Sequence, residues 1–203
     1  MTAITERLGA EERPTWRTRD IVVTAVVGVA FGVVFWLWQI PWNAADPLFA
    51  AVPWAKDILY GMWFVPAILA PLIVRKPGAA LFAEMVAAGV SAILGTQWGP
   101  DVLLSGFVQG AAAEVVFAMT LYRLWSLPVL GVAAVASAAA AWIHDWVIWY
   151  PETATEIQLA RGVMMAISAI LIAAIGSVLL VRALRTAGVL EGFPVAAETE
   201  ARA

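Results

Sequence analysis

The chain has 203 residues, 63% of them hydrophobic and 13% charged, with a mean hydropathy of +0.86. Charge is at about half the usual quarter for a soluble domain, so a soluble fold could not cover its surface and the bilayer must be the solvent for most of it. The net charge is -3 and the basic residues are split among short loops and tails, which excludes a nucleic-acid footprint, and the absence of cysteine excludes disulfides, thiol catalysis and thiolate metal sites.

Residues 1–20 are polar and charged, and read as a cytoplasmic N-terminal segment. They lack the short apolar core and small-residue cleavage site of a signal peptide, so the first apolar stretch is expected to stay as a membrane helix. Apolar stretches long enough to cross the hydrocarbon core, about 18 residues, are read at 21–40, 57–75, 78–96, 102–123, 127–149 and 158–181. They define an all-α, six-span transmembrane domain over 21–185. In span one, Thr24, Gly28 and Gly32 recur every four residues, a small-residue stripe that lets a helix of this chain or of another subunit approach closely. The loop 41–56 is Pro-rich and aromatic, and reads as a lid or an interfacial loop. Arg75-Lys76-Pro77-Gly78 is a tight charged turn and Gly99-Pro100-Asp101 another.

Carboxylates inside the membrane mark cavities, partners or ligands, because each costs about 2.5–3.5 kcal/mol to insert. Glu84 lies in span three, in the half nearer the charged turn, either paired with a helix neighbour or facing a ligand. Glu114 lies about 12 residues into span four, or ~18 Å, close to mid-membrane, which favours a ligand or proton role. Gln109 sits about a turn and a half nearer the other face. In span five Trp142, Asp145, Trp146 and Trp149 follow i, i+3, i+4, i+7 spacing and form one stripe, with His144 beside Asp145. An acid among indoles suits a flat cationic or amine-bearing ring. Arg161 opens span six, where an ion pair with Asp145 is the structural alternative. The residues from 186 to 203 read as a mobile cytoplasmic tail.

With six spans both termini share a side. That side holds Arg7, Arg13, Arg17, Arg19, Arg75, Lys76, Arg123, Arg182, Arg185 and Arg202, and the other holds only Lys56 and Arg161. The positive-inside rule then makes the termini cytoplasmic. Tryptophan is equally lopsided. Trp16 and Trp125 fall on the cytoplasmic side, while Trp36, Trp38, Trp42, Trp54, Trp63, Trp98, Trp142, Trp146 and Trp149 map to the outer half. Two symmetric interfacial belts would not produce that bias. No Walker A loop, HExxH pair or GxSxG elbow is present, so no cofactor or metal is expected.

The segments Gly61-Met62-Trp63-Phe64-Val65-Pro66, Arg75-Lys76-Pro77-Gly78-Ala79-Ala80 with Glu84, Gly95-Thr96-Gln97-Trp98-Gly99, and Gln109-Gly110-Ala111-Ala112-Ala113-Glu114 resemble the YkoE family. That family is regarded as the substrate-binding (S) component of energy-coupling factor (ECF) transporters for thiamine or its hydroxymethylpyrimidine precursor. The resemblance implies a six-helix S-component bundle, a ligand near the extracellular side, and two partners: a transmembrane T component and ATP-binding cassette subunits. It would give Thr24, Gly28 and Gly32 a docking role. The expected ligand residues are Glu114, Gln109, Trp98, Trp142 and Asp145, then Glu84, Gln97, Trp63, Tyr60, Trp146 and His144. Two other readings compete. One is a small intramembrane enzyme using Glu84, Glu114 and His144, and the other is a stand-alone secondary carrier.

Overall fold

The computed structural model describes residues 15–195. Arg7, Arg13 and Arg202, and with them most of the expected N-terminal segment and the last part of the tail, lie outside the described residues. Helix α1 is Thr18–Ala44 and α2 is a single turn, Asp46–Phe49. A 3₁₀ stretch, Pro53–Phe64, runs directly into α3, Val65–Val74. Then come α4 (Ala79–Ile93), α5 (Asp101–Met119) and α6 (Leu127–Ile148). The last pass is continuous: α7 (Thr155–Ser168), π-helical turns over Ala169–Ile175, and α8 (Gly176–Thr186). These make the six passes expected. Five are long and apolar enough to cross a membrane, and α4, with 15 residues, is apolar but shorter.

The second pass is the centre of the bundle. Every residue of α3 is buried, as befits a helix (VPAILAPLIV) that is apolar on all sides. The other passes surround it. Helix α4 is clasped between α1 and α5 through glycine. A Cβ on Gly28 would stand 2.6 Å from Val86 Cβ, and one on Gly32 2.5 Å from Val90 Cβ. On the opposite side, a Cβ on Gly106 would stand 2.6 Å from Ala88 Cβ, and one on Gly110 2.9 Å from Glu84 Cβ. No side chain fits in either seam. This corrects the docking expectation: Thr24, Gly28 and Gly32 are buried against the protein's own bundle, so they do not form a free face for another subunit.

The 3₁₀ stretch has a local cause. Pro66 has no N–H for the Met62 carbonyl, and Val65 N–H bonds that carbonyl instead, one residue tighter than an α-helix. The Gly61 N–H is taken by Ser168 Oγ at 2.8 Å, while the Ser168 hydroxyl donates to the Ile58 carbonyl at 2.5 Å. Ser168 closes α7 where the π-helical turns begin. The two irregular stretches therefore meet at one serine. With three residues per turn, Asp57, Tyr60 and Trp63 stand in one row, and all three are buried.

The loop expected over 41–56 is largely helical. Helix α1 continues through Pro41 to Ala44, and α2 follows at once. At the other end of the bundle, Trp16 Nε1 donates to the Pro77 carbonyl at 3.0 Å and Lys76 Nζ lies 3.9 Å from Asp20. Residues 187–195 of the expected tail pack back there. Leu190, Phe193 and Val195 are buried, and the Arg19 guanidinium lies 5.1 Å over the Phe193 ring. Both ends of the described chain thus share one end of the bundle, here termed the basic end, with the Arg75-Lys76 turn.

Candidate functional site

At the opposite end the passes enclose a cavity with about 610 Å³ of space between its walls, counting its open mouth. Its walls carry Phe35, Trp42, Tyr60, Trp63, Trp98, Trp149 and Tyr150, and its polar groups are Glu84, Asp101, Ser105, Gln109, Asp145 and Arg161. Four of these rings form a connected edge-to-face chain. Trp42 lies 5.0 Å from Trp63, Tyr60 5.1 Å from Trp63, and Trp63 5.2 Å from Trp98. Such contacts fix the orientation of each indole.

Arg161 organises one wall. Its Nε donates to Asp57 Oδ2 at 2.8 Å, and its Nη2 lies 3.7 Å from Asp145 Oδ2. Its guanidinium sits 3.8 Å over the Tyr150 ring. Burial pushes the Tyr150 phenol above its ordinary range, partly offset by Arg161, so it stays neutral. Tyr60 hydroxyl donates to Asp145 Oδ2 at 3.0 Å. Behind this wall His144 bridges Asp145 and Asp101, at 3.2 Å from each, and Trp149 Nε1 donates to Asp101 Oδ2 at 2.9 Å. A second hollow, lined by Phe49, Trp54, Lys56 and Thr153, meets the first across Trp42, Tyr150 and Arg161. Lys56 pairs with Asp46 and lies 4.2 Å over the Trp42 ring.

The deep end belongs to Glu84. It is 1% exposed, and its Oε2 accepts the Ala67 N–H at 3.1 Å, in the first turn of α3, where N–H groups have no partner within the helix. Gln109 is also buried. Its Nε2 donates to Ser105 Oγ at 2.5 Å, and its carbonyl accepts the Ser137 hydroxyl at 2.9 Å.

Six sequence-predicted residues therefore converge on the cavity: Glu84, Gln109, Trp98, Trp63, Tyr60 and Asp145. Five do not line it, and each has a physical reason. Glu114 is at the basic end. Its carboxylate accepts N–H groups of Gly78 at 2.6 Å, Ala80 at 2.9 Å and Leu81 at 3.4 Å, and the Tyr122 hydroxyl at 2.8 Å. Burial and that carboxylate push the Tyr122 phenol well above its ordinary range, so it remains a donor. Gln97 ties the α4–α5 loop to α1. Its N–H donates to Gln39 Oε1 at 2.7 Å, and its side chain bonds Asn43. Trp142 Nε1 donates to the Gln158 carbonyl at 2.8 Å, and its ring pairs with Trp146 at 5.2 Å. His144 stands behind the lining, on its two carboxylates.

The stripe on α6 is thus shared. At 100° per residue its four members span about 100° of arc. Trp142 and Trp146 occupy the side toward α7, and Asp145 and Trp149 the side toward the cavity. Sequence reasoning missed Asp57, Asp101, Tyr150, Phe35 and Ser105, and gave Arg161 only a structural pairing. One signal was available: a lone arginine in the outer half of a span carries five N–H donors, more than one carboxylate satisfies. Glu84, Glu114 and His144 lie at three separate places, so the arrangement offers no joint acid–base or metal chemistry for the enzyme reading.

A model of the ABC-type cobalt transport system permease component matches residues 19–140. The Bacillus subtilis (strain 168) protein YkoE, which carries the name of an HMP/thiamine permease, is 36% identical over 185 residues, covering 91% of this chain and 92% of its own. The crystal structure of an S-component of an ECF transporter superposes with a TM-score of 0.87 at 34% identity, covering 93% of this chain and 95% of that one. On this evidence of sequence and fold, the chain belongs to the YkoE family of ECF S components, multi-pass inner-membrane transport proteins and not enzymes.

Proposed function

We propose that the chain captures thiamine, or its hydroxymethylpyrimidine half, in the aromatic cavity at the outer face of the membrane. It then passes the ligand inward with a transmembrane T component and ATP-hydrolysing subunits. The orientation rests on the excess of Lys and Arg at the basic end, which the positive-inside rule assigns to the cytoplasm together with both termini. The dependence on partners rests on the absence of any phosphate-cradling loop in the sequence.

One observation carries the substrate reading. Three carboxylates, Glu84, Asp101 and Asp145, line an indole-walled cavity that contains one arginine. Asp57 and Asp145 already engage that arginine. Acid is therefore in excess among aromatic rings, the chemistry that suits a planar, cationic or amine-bearing heterocycle. Glu84 offers the oxygen not bonded to Ala67 to an amino group. Gln109 supplies a neutral polar contact beside it, and Trp63, Trp98 and Trp42 supply ring faces.

The test is a titration of purified protein in detergent with thiamine, the hydroxymethylpyrimidine and the thiazole, followed by tryptophan fluorescence and calorimetry. Saturable quenching by thiamine or the pyrimidine is expected, with weaker binding of the isolated thiazole. Well-folded protein that binds none of the three overturns the assignment.

A further inference from the structure

His144 lies behind the wall of the cavity and has no direct place in the ligand reading. Its two ring nitrogens each meet a carboxylate. Nδ1 is 3.2 Å from Asp145 Oδ1, and Nε2 is 3.2 Å from Asp101 Oδ1. A neutral imidazole has one N–H and one lone pair. With both acids ionised, one of the two contacts would set lone pair against lone pair. The trio is fully hydrogen-bonded only when it holds one further proton, as an imidazolium or on a carboxyl. His144 is 8% exposed, so water does not resolve the conflict.

The other charged and titratable groups around it come from every neighbouring element. Asp101 opens α5, Asp145 is on α6 itself, Tyr60 and Asp57 come from the 3₁₀ stretch, and Arg161 comes from α7, with Tyr150 beyond the end of α6. Arg161 already engages Asp57 and Asp145, so its charge does not compensate Asp101. Asp101 has two other partners, the Trp149 N–H and His144. The imidazole is therefore the group that sets whether the Asp101–Asp145 pair presents a net negative charge to the cavity.

We infer that His144 is a positioning residue carrying an exchangeable proton between two cavity carboxylates, so that a proton and a cationic ligand compete for the same negative wall. This rests on the reading that the cavity takes a positively charged ring. Both acids line the cavity and both touch His144. A cation placed against them disfavours the imidazolium, and an imidazolium disfavours the cation. The sign follows by linkage: binding releases protons, so affinity rises with pH while His144 titrates, by at most about tenfold per pH unit. Acidification weakens the hold on the ligand.

The experiment is the dissociation constant of thiamine, the permanently charged probe, for the full chain from about pH 5.5 to about pH 8. It is run with wild type and with His144→Gln. In parallel, calorimetry of wild type in two buffers of different ionisation enthalpy counts the protons released. Wild type is expected to bind several-fold more tightly at the alkaline end and to release a fraction of a proton per ligand. His144→Gln is expected to flatten the pH profile while still binding. The buffer pair gives its result on wild type alone, so an absence of proton release overturns the inference even if the variant does not fold. Measurable thiamine binding with a flat pH profile and no proton release overturns this inference and leaves the proposed function standing. A profile in His144→Gln as steep as wild type moves the proton elsewhere and overturns it too. No thiamine binding at any pH overturns both.

Discussion

The two ends of the bundle each hold a carboxylate among tryptophans, and they use it differently. At the basic end Glu114 is saturated. Three backbone N–H groups, from Gly78 and the first turn of α4, and the Tyr122 hydroxyl converge on its two oxygens. Its nearby indole, Trp125, is stacked on Phe117 at 5.1 Å and lies 5.6 Å from the Arg75 guanidinium. At the cavity end Glu84 accepts one backbone N–H and otherwise faces open space with Trp42, Trp63 and Trp98. Residue type alone does not separate the roles. What separates them is the remaining hydrogen-bonding capacity: an acid whose lone pairs the protein has filled is structural, and an acid with lone pairs to spare is available to a ligand.

Removing the saturated acid should produce the largest effect. Glu114→Ala leaves the Gly78, Ala80 and Leu81 N–H groups and the Tyr122 hydroxyl without their acceptor. Hydrogen bonds to a charged group are worth about 1.5–3 kcal/mol each, so a stability loss of about 3 kcal/mol is expected, read as a lowered thermal midpoint in detergent. Molecules that stay folded should bind thiamine with unchanged affinity. A variant of normal stability that no longer binds would break the comparison at its root.

Glu84→Gln should do the opposite. The amide oxygen can still accept the Ala67 N–H, so the thermal midpoint should move little. The acid facing the cavity is gone, and a hydrogen bond to the ligand of about 0.5–1.5 kcal/mol goes with it, roughly a 2- to 10-fold loss of affinity. Titration by tryptophan fluorescence measures this directly. Binding that survives intact would mean that Asp101 and Asp145 alone hold the ligand.

The sequence disclosed the six passes and the charge asymmetry because both depend on composition along a single segment. It disclosed six lining residues for a similar reason. Gln109 and Asp145 sit at helix positions where depth can be counted, and Glu84, Trp63, Trp98 and Tyr60 stand in or beside segments that resemble the family. Glu114 was misplaced because counting along α5 gives only its depth. Its fate was decided by the turn at 78–81, which another pass brings to it. Asp57 was hidden by the helix type. At 100° per residue, Asp57, Tyr60 and Trp63 would fan across about 120°, and only the 3₁₀ stretch stacks them in one row. That stretch depends on Pro66 locally and on Ser168 from the last pass, and the second contact is absent from any local pattern. The small-residue stripe on α1 was legible as a close approach, but the identity of the approaching helix, α4, was not.

The smallest effect sharpens the comparison within a single helix. Trp142 and Trp149 lie on the same α6 stripe, yet Trp142 faces α7 and Trp149 faces the cavity. Trp142→Phe removes the 2.8 Å bond to the Gln158 carbonyl and keeps an aromatic ring against Gly162. The expected cost is about 1 kcal/mol of stability, with thiamine affinity unchanged and fluorescence quenching retained through Trp63 and Trp98. A tenfold loss of affinity at unchanged stability would place Trp142 at the ligand. The boundary between anchoring and binding indoles on α6 would then lie elsewhere, because a side chain whose polar atom is already committed to the backbone of a neighbouring helix has only its ring face left to offer.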